Sequence, residues 1–379
     1  METGGQIHTI IPVSEKKQRK QFLEFPYRHY AGDEYWIAPL KTEQKKLIDE
    51  EKNPFYENGE ITLFLAERDG AICGRIAAIR DHRYNRYHQD KTGFFGFFEC
   101  IDDSAVADSL LKAASDWLRE RGHTLVLGPS NPSMMDEIGI LVDGFDHYPG
   151  FLMPYHKPYY DKLITGAGFR KAMDMYAFRV TQETVSLDRM KRAEKIMRRR
   201  LPALKIREVD IKNLDEEVKI VRHIFNKAWS DNWGFIPLTK SELEDLAKDL
   251  KLILDPSVAH IAEMSGEPVA FSIGLPDLNQ ALRHMDGTLF PTGLFKLLWH
   301  RRNINQIRTA LMGVLPEYRG KGIDALLHRE TILNGRREGY HSSELSWVLE
   351  SNTGMMRVAE KIGAKIEKTY RMYSKDLSV

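Results

Sequence analysis

The sequence predicts a mixed α/β fold arranged as two similar units in tandem, each a mostly antiparallel twisted sheet flanked by helices. Three observations carry that reading. Strand-like and helix-like segments follow one order in both halves: strand, helix or helices, hairpin, strand, helix, strand, helix, strand. A tight hairpin turn falls at the same place in each half, Asp69-Gly70 in the first and Ser265-Gly266 in the second. Between the halves lies a helical stretch, Leu187 to Leu201, with a basic face. The expected division is therefore 1–183, a linker at 184–203, and 204–379.

In the first half, Ile7 to Val13 is strand-like and Glu15 to Tyr30 helical. Ile61 to Glu67 and Ile72 to Ile79 form the hairpin, and Gly93 to Ile101 is an aromatic strand. Ala105 to Arg121 places Val106, Leu110, Leu111, Ala114, Trp117 and Leu118 at helical spacing and stops at Gly122. His123 to Leu127 is a strand, Pro158 to Thr165 a short helix, and Met173 to Val180 the last strand. The linker carries Arg189, Lys191, Arg192, Lys195, Arg198, Arg199 and Arg200, the pattern of a solvated face or of a site for phosphates and acidic headgroups. In the second half, Leu204 to Glu208 is a strand, followed by helices at Leu214 to Trp229 and Thr239 to Leu250. Thr239 with Glu242 three residues on is a capping box. The hairpin Ala259 to Met264 and Val269 to Leu275 precedes an insertion and the strand Arg308 to Val314. A helix from Asp324 to Arg337, a strand Leu345 to Leu349, a helix Thr353 to Ile362 and a strand Lys365 to Ser374 complete it.

Composition excludes several classes. Hydrophobic residues at 42% and charged residues at 29% belong to a globular chain rather than a disordered or fibrous one. A net charge of +1 argues against bulk attraction to nucleic acid. No apolar run approaches the roughly 18 residues that span a bilayer, and the Met1 to Gln6 segment has no export-signal pattern. Cys73 and Cys100 form neither a metal nor a disulfide framework, which fits a reducing cytoplasm.

One segment points to chemistry. Val314-Leu-Pro-Glu-Tyr-Arg319-Gly320-Lys321-Gly322-Ile323 follows a strand and opens a helix. Such a turn aims backbone N–H groups and the positive end of a helix dipole at one point, an anion site. Glycines let the backbone approach the anion, and Arg319 and Lys321 add charge.

Here the sequence resembles the GNAT superfamily of acyl-CoA N-acyltransferases. The family motif at this turn, Gln/Arg-x-x-Gly-x-Gly/Ala, binds the coenzyme A pyrophosphate; Arg319 and Gly322 match it, and Asp324 stands at its last position. A second signature, Asn-x6-Tyr-Glu-Lys-x-Gly-Phe, is matched by Asn352, Glu360, Lys361 and Gly363, with Ala359 in place of the tyrosine and Ala364 in place of the phenylalanine. The resemblance covers Arg308 to Ser374 and implies that Asn352 lies beside the pantetheine arm. In the first half only Lys162 to Phe169 is similar, and no Arg-Gly-x-Gly turn exists between Cys100 and Leu110, so that half is expected to hold no coenzyme. The implied activity is transfer of an acetyl or longer acyl group from acyl-CoA, as co-substrate, to a small-molecule or lipid-like amine. It proceeds by direct attack in a ternary complex, with no metal and no nucleic acid. The competing readings are a coenzyme-binding or regulatory module without chemistry, motivated by Asp324 and Ala359, and a long-chain lipid N-acyltransferase.

The resemblance also implies an oxyanion donor at the backbone near Val314. The strand Thr309 to Val314 carries no carboxylate, so the base comes from elsewhere. Glu350 at a strand end and Asp277 at the start of the insertion are the candidate bases, and Tyr370 and Tyr373 the candidate acids. Asn232, Trp233 and Phe235, between two helices, are candidates for the acceptor pocket. Asp136 and Glu137 are adjacent in a Pro-containing loop and do not read as an acid/base pair. Thr292 to Arg302 is apolar and then basic, fitting a helix packed with a basic end or one resting on a membrane surface.

Overall fold

A computed structural model describes residues 8–185 and 187–378. Ile7 and the Met1 to Gln6 segment lie outside the described residues. In chain order the elements are β1 Thr9–Pro12, α1 Lys16–His29, α2 Lys41–Leu47, β2 Gly59–Arg68, β3 Ala71–Asp81, α3 His82–His88, β4 Thr92–Cys100, α4 Ser104–Glu120, β5 Leu125–Gly128, β6 Ser130–Asn131, β7 Glu137–Ile138, β8 Ile140–Asp143, α5 Tyr160–Gly166 and β9 Arg170–Thr181. They continue with α6 Leu187–Arg200, β10 Leu204–Glu208, α7 Leu214–Ala228, α8 Lys240–Lys251, β11 Ala259–Met264, β12 Glu267–Pro276, α9 Asn279–Leu282, α10 Gly293–Arg301, β13 Gln306–Val314, α11 Ile323–Arg337, β14 Ser342–Leu349, α12 Thr353–Lys361 and β15 Lys365–Asp376.

The expected mixed α/β class, with sheets flanked by helices, is what the chain forms. Two compact units emerge, but they are not the two sequential halves. Unit 1 comprises Met1–Asp174, Leu282–Leu297 and Thr369–Val379; unit 2 comprises Met175–Ala281 and Leu298–Lys368. The reason is an exchange of strands. In unit 1 the order is β1-β2-β3-β4-β5, closed by the C-terminal part of β15, where Tyr373 pairs with Gly128 and Asp376 with Leu125. In unit 2 the order is β10-β11-β12-β13-β14, closed by β9, where Phe178 pairs with Leu345 and Thr181 with Ser342. Each unit therefore takes its closing strand from the other half of the sequence.

Both sheets are antiparallel except at one place each. In unit 1, β4 and β5 run parallel over Thr92–Phe94 against Leu125–Leu127. In unit 2, β13 and β14 run parallel over Gln306–Thr309 against Ser342–Leu345. Parallel neighbours need a crossover, and α4 and α11 supply it. Helix α4 buries Val106, Leu110, Leu111, Ala114 and Leu118 on the unit 1 sheet, a core that also takes in Tyr373 and Leu377. In unit 2, β9 and β14 pack Phe178, Val180, Leu345 and Val348 against Ala359 and Ile362 of the α12 region.

Local chemistry explains most element boundaries. Thr239 and Glu242 form the reciprocal cap of α8: Thr239 N donates to Glu242 Oε2 at 2.9 Å and Glu242 N to Thr239 Oγ1 at 3.2 Å. Two short helices had no apolar signal in the sequence. No residue of α2 is buried, and α3 starts because the Asp81 carboxylate accepts from Arg83 N and Tyr84 N, both at 2.9 Å.

The exchange yields a prediction. Ending the chain at Lys368 removes the closing strand and two core residues, Tyr373 and Leu377, from unit 1. Hydrogen exchange on that variant is expected to show loss of protection in β4, β5 and α4, with protection retained in β11 to β13.

Candidate active site

The turn after β13 is open for a structural reason. Gly320 (φ 70°) and Gly322 (φ 84°) are left-handed, and Gly322 caps α11 without any side chain. The N–H groups of Gly320, Lys321, Gly322, Ile323 and Asp324 donate to no described residue. Five consecutive unsatisfied amides at a helix N-terminus form an anion-binding concavity. The side chains behave less simply. The Arg319 guanidinium turns away, to the Ala228 carbonyl and toward Asp231 at 4.0 Å, and Lys321 Nζ rests 4.7 Å from the Tyr318 ring centroid. Asp324 accepts from Ala325 N at 2.9 Å, so its carboxylate uses one first-turn donor and leaves the amides before it free. A Cβ on Gly322 would collide with Met197 Sδ of α6, so the helix between the sequence halves rests directly on the turn.

Beyond Thr309 and Leu345, β13 and β14 separate. Trp229 Nε1 donates to the Met312 carbonyl at 2.8 Å, anchoring α7 to β13. At the paired end, buried Lys368 donates to Glu344 Oε2 at 2.9 Å and Glu367 Oε2 at 2.8 Å. Arg179 donates to Glu367 at 3.0–3.2 Å and to Gln306 Oε1 at 2.6 Å. Arg308 donates to Ser346, whose hydroxyl in turn donates to Glu344 Oε1 at 2.8 Å. Burial alone would raise Glu344, but Lys368, Arg179 and Arg308 outweigh it and hold the carboxyl below its ordinary range. Burial likewise opposes, and the Arg179 and Lys368 contacts overcome it, in bringing Glu367 down to about 2.

Asp277 stands beside this network with a different balance. Burial, then the negative Glu344, push its carboxyl up to about 7, against the pull of Arg179 and Lys368. Asn279 N donates to its Oδ1 at 3.2 Å, while Oδ2 accepts from no described residue. A carboxylate titrating near neutrality, with one free oxygen, has the properties of a general base.

The other sequence-predicted residues are distributed as follows. Val314 ends β13, paired with Ala270. Asn352 caps α12, accepting from Met355 N at 3.1 Å, and its amide nitrogen donates to no described residue. Glu350 is half-buried just after β14. Phe235 is buried against Phe225, whereas Asn232 and Trp233 stay half-exposed in their loop. Tyr373 lies in unit 1, fully buried, with its hydroxyl donating to Asp161 Oδ1 at 2.6 Å. Tyr370 is also buried in unit 1. These two tyrosines are thus in a different unit from the glycine turn. The sequence reading missed Lys368, Glu344, Arg179 and Arg308; for Arg179 and Arg308 the available signal was a charge among apolar strand neighbours, whereas Lys368 lies in a strand rich in charge and gave none.

Comparison with known proteins decides the family. No protein-family model matches the chain. It is 37% identical over 377 residues to a bacterial ceramide synthase of Caulobacter vibrioides, covering 97% of both chains. It is 36% identical over 380 residues to Protein YghO of Escherichia coli, covering 98% of this chain and 96% of that one. Among solved structures, a tandem GNAT protein from the clavulanic acid biosynthesis pathway superposes with a TM-score of 0.57 at 10% identity, covering 98% of both chains. A GCN5-related N-acetyltransferase from Anabaena variabilis matches with a TM-score of 0.50, covering 98% of this chain and 73% of that one. The chain belongs to one family with the Caulobacter vibrioides and Escherichia coli proteins, and its fold is that of the tandem GNAT proteins.

Within this GNAT protein, unit 1 treats the corresponding turn in the opposite way. Asp103 caps α4, accepting from Ala105 N at 2.9 Å and Val106 N at 3.2 Å, and is paired with Arg68. Ile101 N and Asp103 N are also bonded. A carboxylate fills the place an anion would take. Unit 1 instead buries a proton-holding chain that sequence reading did not find. Glu99, 9% exposed at the end of β4, accepts at Oε2 from Tyr30 (2.8 Å) and Tyr160 (2.5 Å), and Oε1 accepts from no described residue. The Tyr160 hydroxyl also lies 3.0 Å from His29 Nε2, and Cys100 N donates to it at 3.1 Å. Phe97, just before, holds a left-handed φ of 51°, fixed by Asn131 Oδ1 accepting from its N–H at 2.6 Å. Burial, opposed by Arg75 across the strand pair and by the two phenols, pushes Glu99 up to about 7.

That shift has a sign. A carboxyl raised in the folded state contributes stability below its unfolded value of 4.5 that is lost as pH rises to about 7. Glu99→Gln keeps an oxygen for the two phenols and does not ionise. Denaturant titrations at pH 5 and pH 8 are expected to show the wild type losing on the order of 3 kcal/mol more than the variant.

Proposed function

We propose that the protein transfers a long-chain acyl group from acyl-CoA to the amine of a long-chain amino alcohol, forming an amide of the ceramide type. The observation that carries this reading is the end-to-end 37% identity with a bacterial ceramide synthase. The open amides from Gly320 to Asp324 support it as the cradle for the coenzyme phosphates, with Arg319 and Lys321 adding positive field. Val314 at the strand end and the free amide of Asn352 would border the pantetheine.

In the proposed step, Asp277 Oδ2 takes the proton from the ammonium, and the freed nitrogen attacks the thioester carbonyl. The C–N bond forms, the C–S bond breaks, and the departing thiolate takes the second proton that the nitrogen sheds on becoming the amide, so coenzyme A leaves as the thiol and Asp277 returns the first proton to solvent. Cys73 and Cys100 are buried in unit 1 with thiols raised by burial, which supports direct transfer rather than an acyl-cysteine intermediate. Trp233 and Asn232 are proposed to line the acceptor side, and Glu350 is the second candidate base. One observation favours a module that binds coenzyme A without chemistry: Ala359 is fully buried, so no hydroxyl stands at that place to protonate the thiolate.

Thiol release with acyl chains of two to sixteen carbons and a long-chain 2-amino-1,3-diol tests the reading. Turnover is expected to rise with chain length and to follow ionisation of a base near pH 7, increasing as pH rises through that value. Asp277→Asn is expected to lower kcat by roughly 10²–10⁴ while coenzyme affinity is unchanged. Preference for acetyl-CoA, or coenzyme binding with no thiol release from any amine, would overturn it.

A further inference from the structure

Helix α10 presents its apolar side outward. Leu294, Phe295, Leu298 and Trp299 are 40%, 70%, 55% and 59% exposed, and Phe290 just before it is 73% exposed. At 100° per residue the four helical positions form one stripe, whereas Gly293, Leu297 and His300 are the less exposed residues on the other side. Soluble helices bury the apolar stripe and expose the polar one. Here the order is reversed over about 13 Å of helix.

The flanks carry the second observation. Lys296 borders one edge of the stripe and Arg301 the other, with Arg302 just beyond the helix end, and all three are exposed. From Gly287 to Ile307 the chain contains no acidic residue. An apolar stripe edged by cations whose alkyl stems reach up from it matches an anionic bilayer surface, where rings and aliphatic chains enter the headgroup boundary and the cations meet phosphates. A protein partner would be met without need of cations on both edges.

We infer that α10, with Phe290, is a docking element for an anionic phospholipid surface. No helix among the described residues is long and apolar enough to cross a membrane, so the contact is peripheral. The inference concerns attachment alone and stands independently of which acyl group or amine is used.

The test is flotation of the full-length protein, without substrates, on phosphatidylcholine vesicles and on vesicles in which about a third of the lipid is phosphatidylglycerol. Binding to the anionic vesicles is expected to exceed that to the neutral ones by at least tenfold and to weaken with salt. Phe295→Asp with Leu298→Asp, both at exposed positions, should cut it at least tenfold, and Lys296→Glu with Arg301→Glu should remove the preference for anionic lipid. Unchanged thermal unfolding and coenzyme binding would show that the variants are folded. Equal flotation of the Phe295/Leu298 variant and wild type, or no flotation of wild type on either vesicle, would overturn the inference. So would a dimer in gel filtration that the Phe295/Leu298 variant converts to a monomer without loss of lipid binding.

Discussion

The early end of the parallel pairing between β13 and β14 is the constraint on which the unit 2 site depends. Pairing stops at Thr309 and Leu345 while both strands run on for several residues. A parallel pair needs a crossover helix, so α11 must start where β13 stops. That places a helix N-terminus, with its orphan amides and positive dipole, beside the gap. Gly320 and Gly322 then settle how the turn is made, because only left-handed residues bend the chain there without a side chain among the donors.

The paired end of the same strands is held by charge. Lys368, Glu344, Glu367, Arg179 and Arg308 would each be costly to bury alone, and their hydrogen bonds offset that cost only as a set. Within this set, Arg179 and Lys368 pull the neighbouring Asp277 carboxyl toward ionisation. Burial works against that ionisation, and the nearby Glu344 adds to it. Burial outweighs the cations here, which is why this carboxyl rises to about 7 while Glu344 and Glu367 are held below their ordinary range. The proton affinity of this carboxyl is thus set first by its own burial and then adjusted by charges on β9, β14 and β15.

Much of the fold was legible. The period of apolar residues placed α4 and α7, turn chemistry placed both hairpins, and Thr239 with Glu242 marked the start of α8. The glycine turn was legible too, since it is a contiguous segment whose chemistry is local. What was not legible is contact across the sequence. Nothing in Arg170 to Thr181 or Lys365 to Asp376 says which sheet each strand will close, because both mix apolar and charged residues in the same way and their partners lie far off in the sequence. Tyr373, a candidate acid from its place on the last strand, sits in unit 1 on Asp161, whereas the glycine turn and Asn352 are in unit 2. Glu99 was hidden for the same reason: its partners Tyr30 and Tyr160 lie 69 and 61 residues away.

The two units show how one frame can be kept while its anion site is made or unmade by a single type of residue. In both, a strand ends, the chain turns, and a crossover helix begins. Where Asp103 stands before α4, a carboxylate takes the first-turn donors and its own charge repels a phosphate. Where Gly322 stands before α11, the donors stay free. The strand ends follow suit. Unit 2 leaves Val314 there, with no ionisable group to compete with an anion, and unit 1 places Glu99, whose charge would oppose one. Cap and strand end thus agree within each unit, so of these two turns only the one in unit 2 is left able to receive an anion.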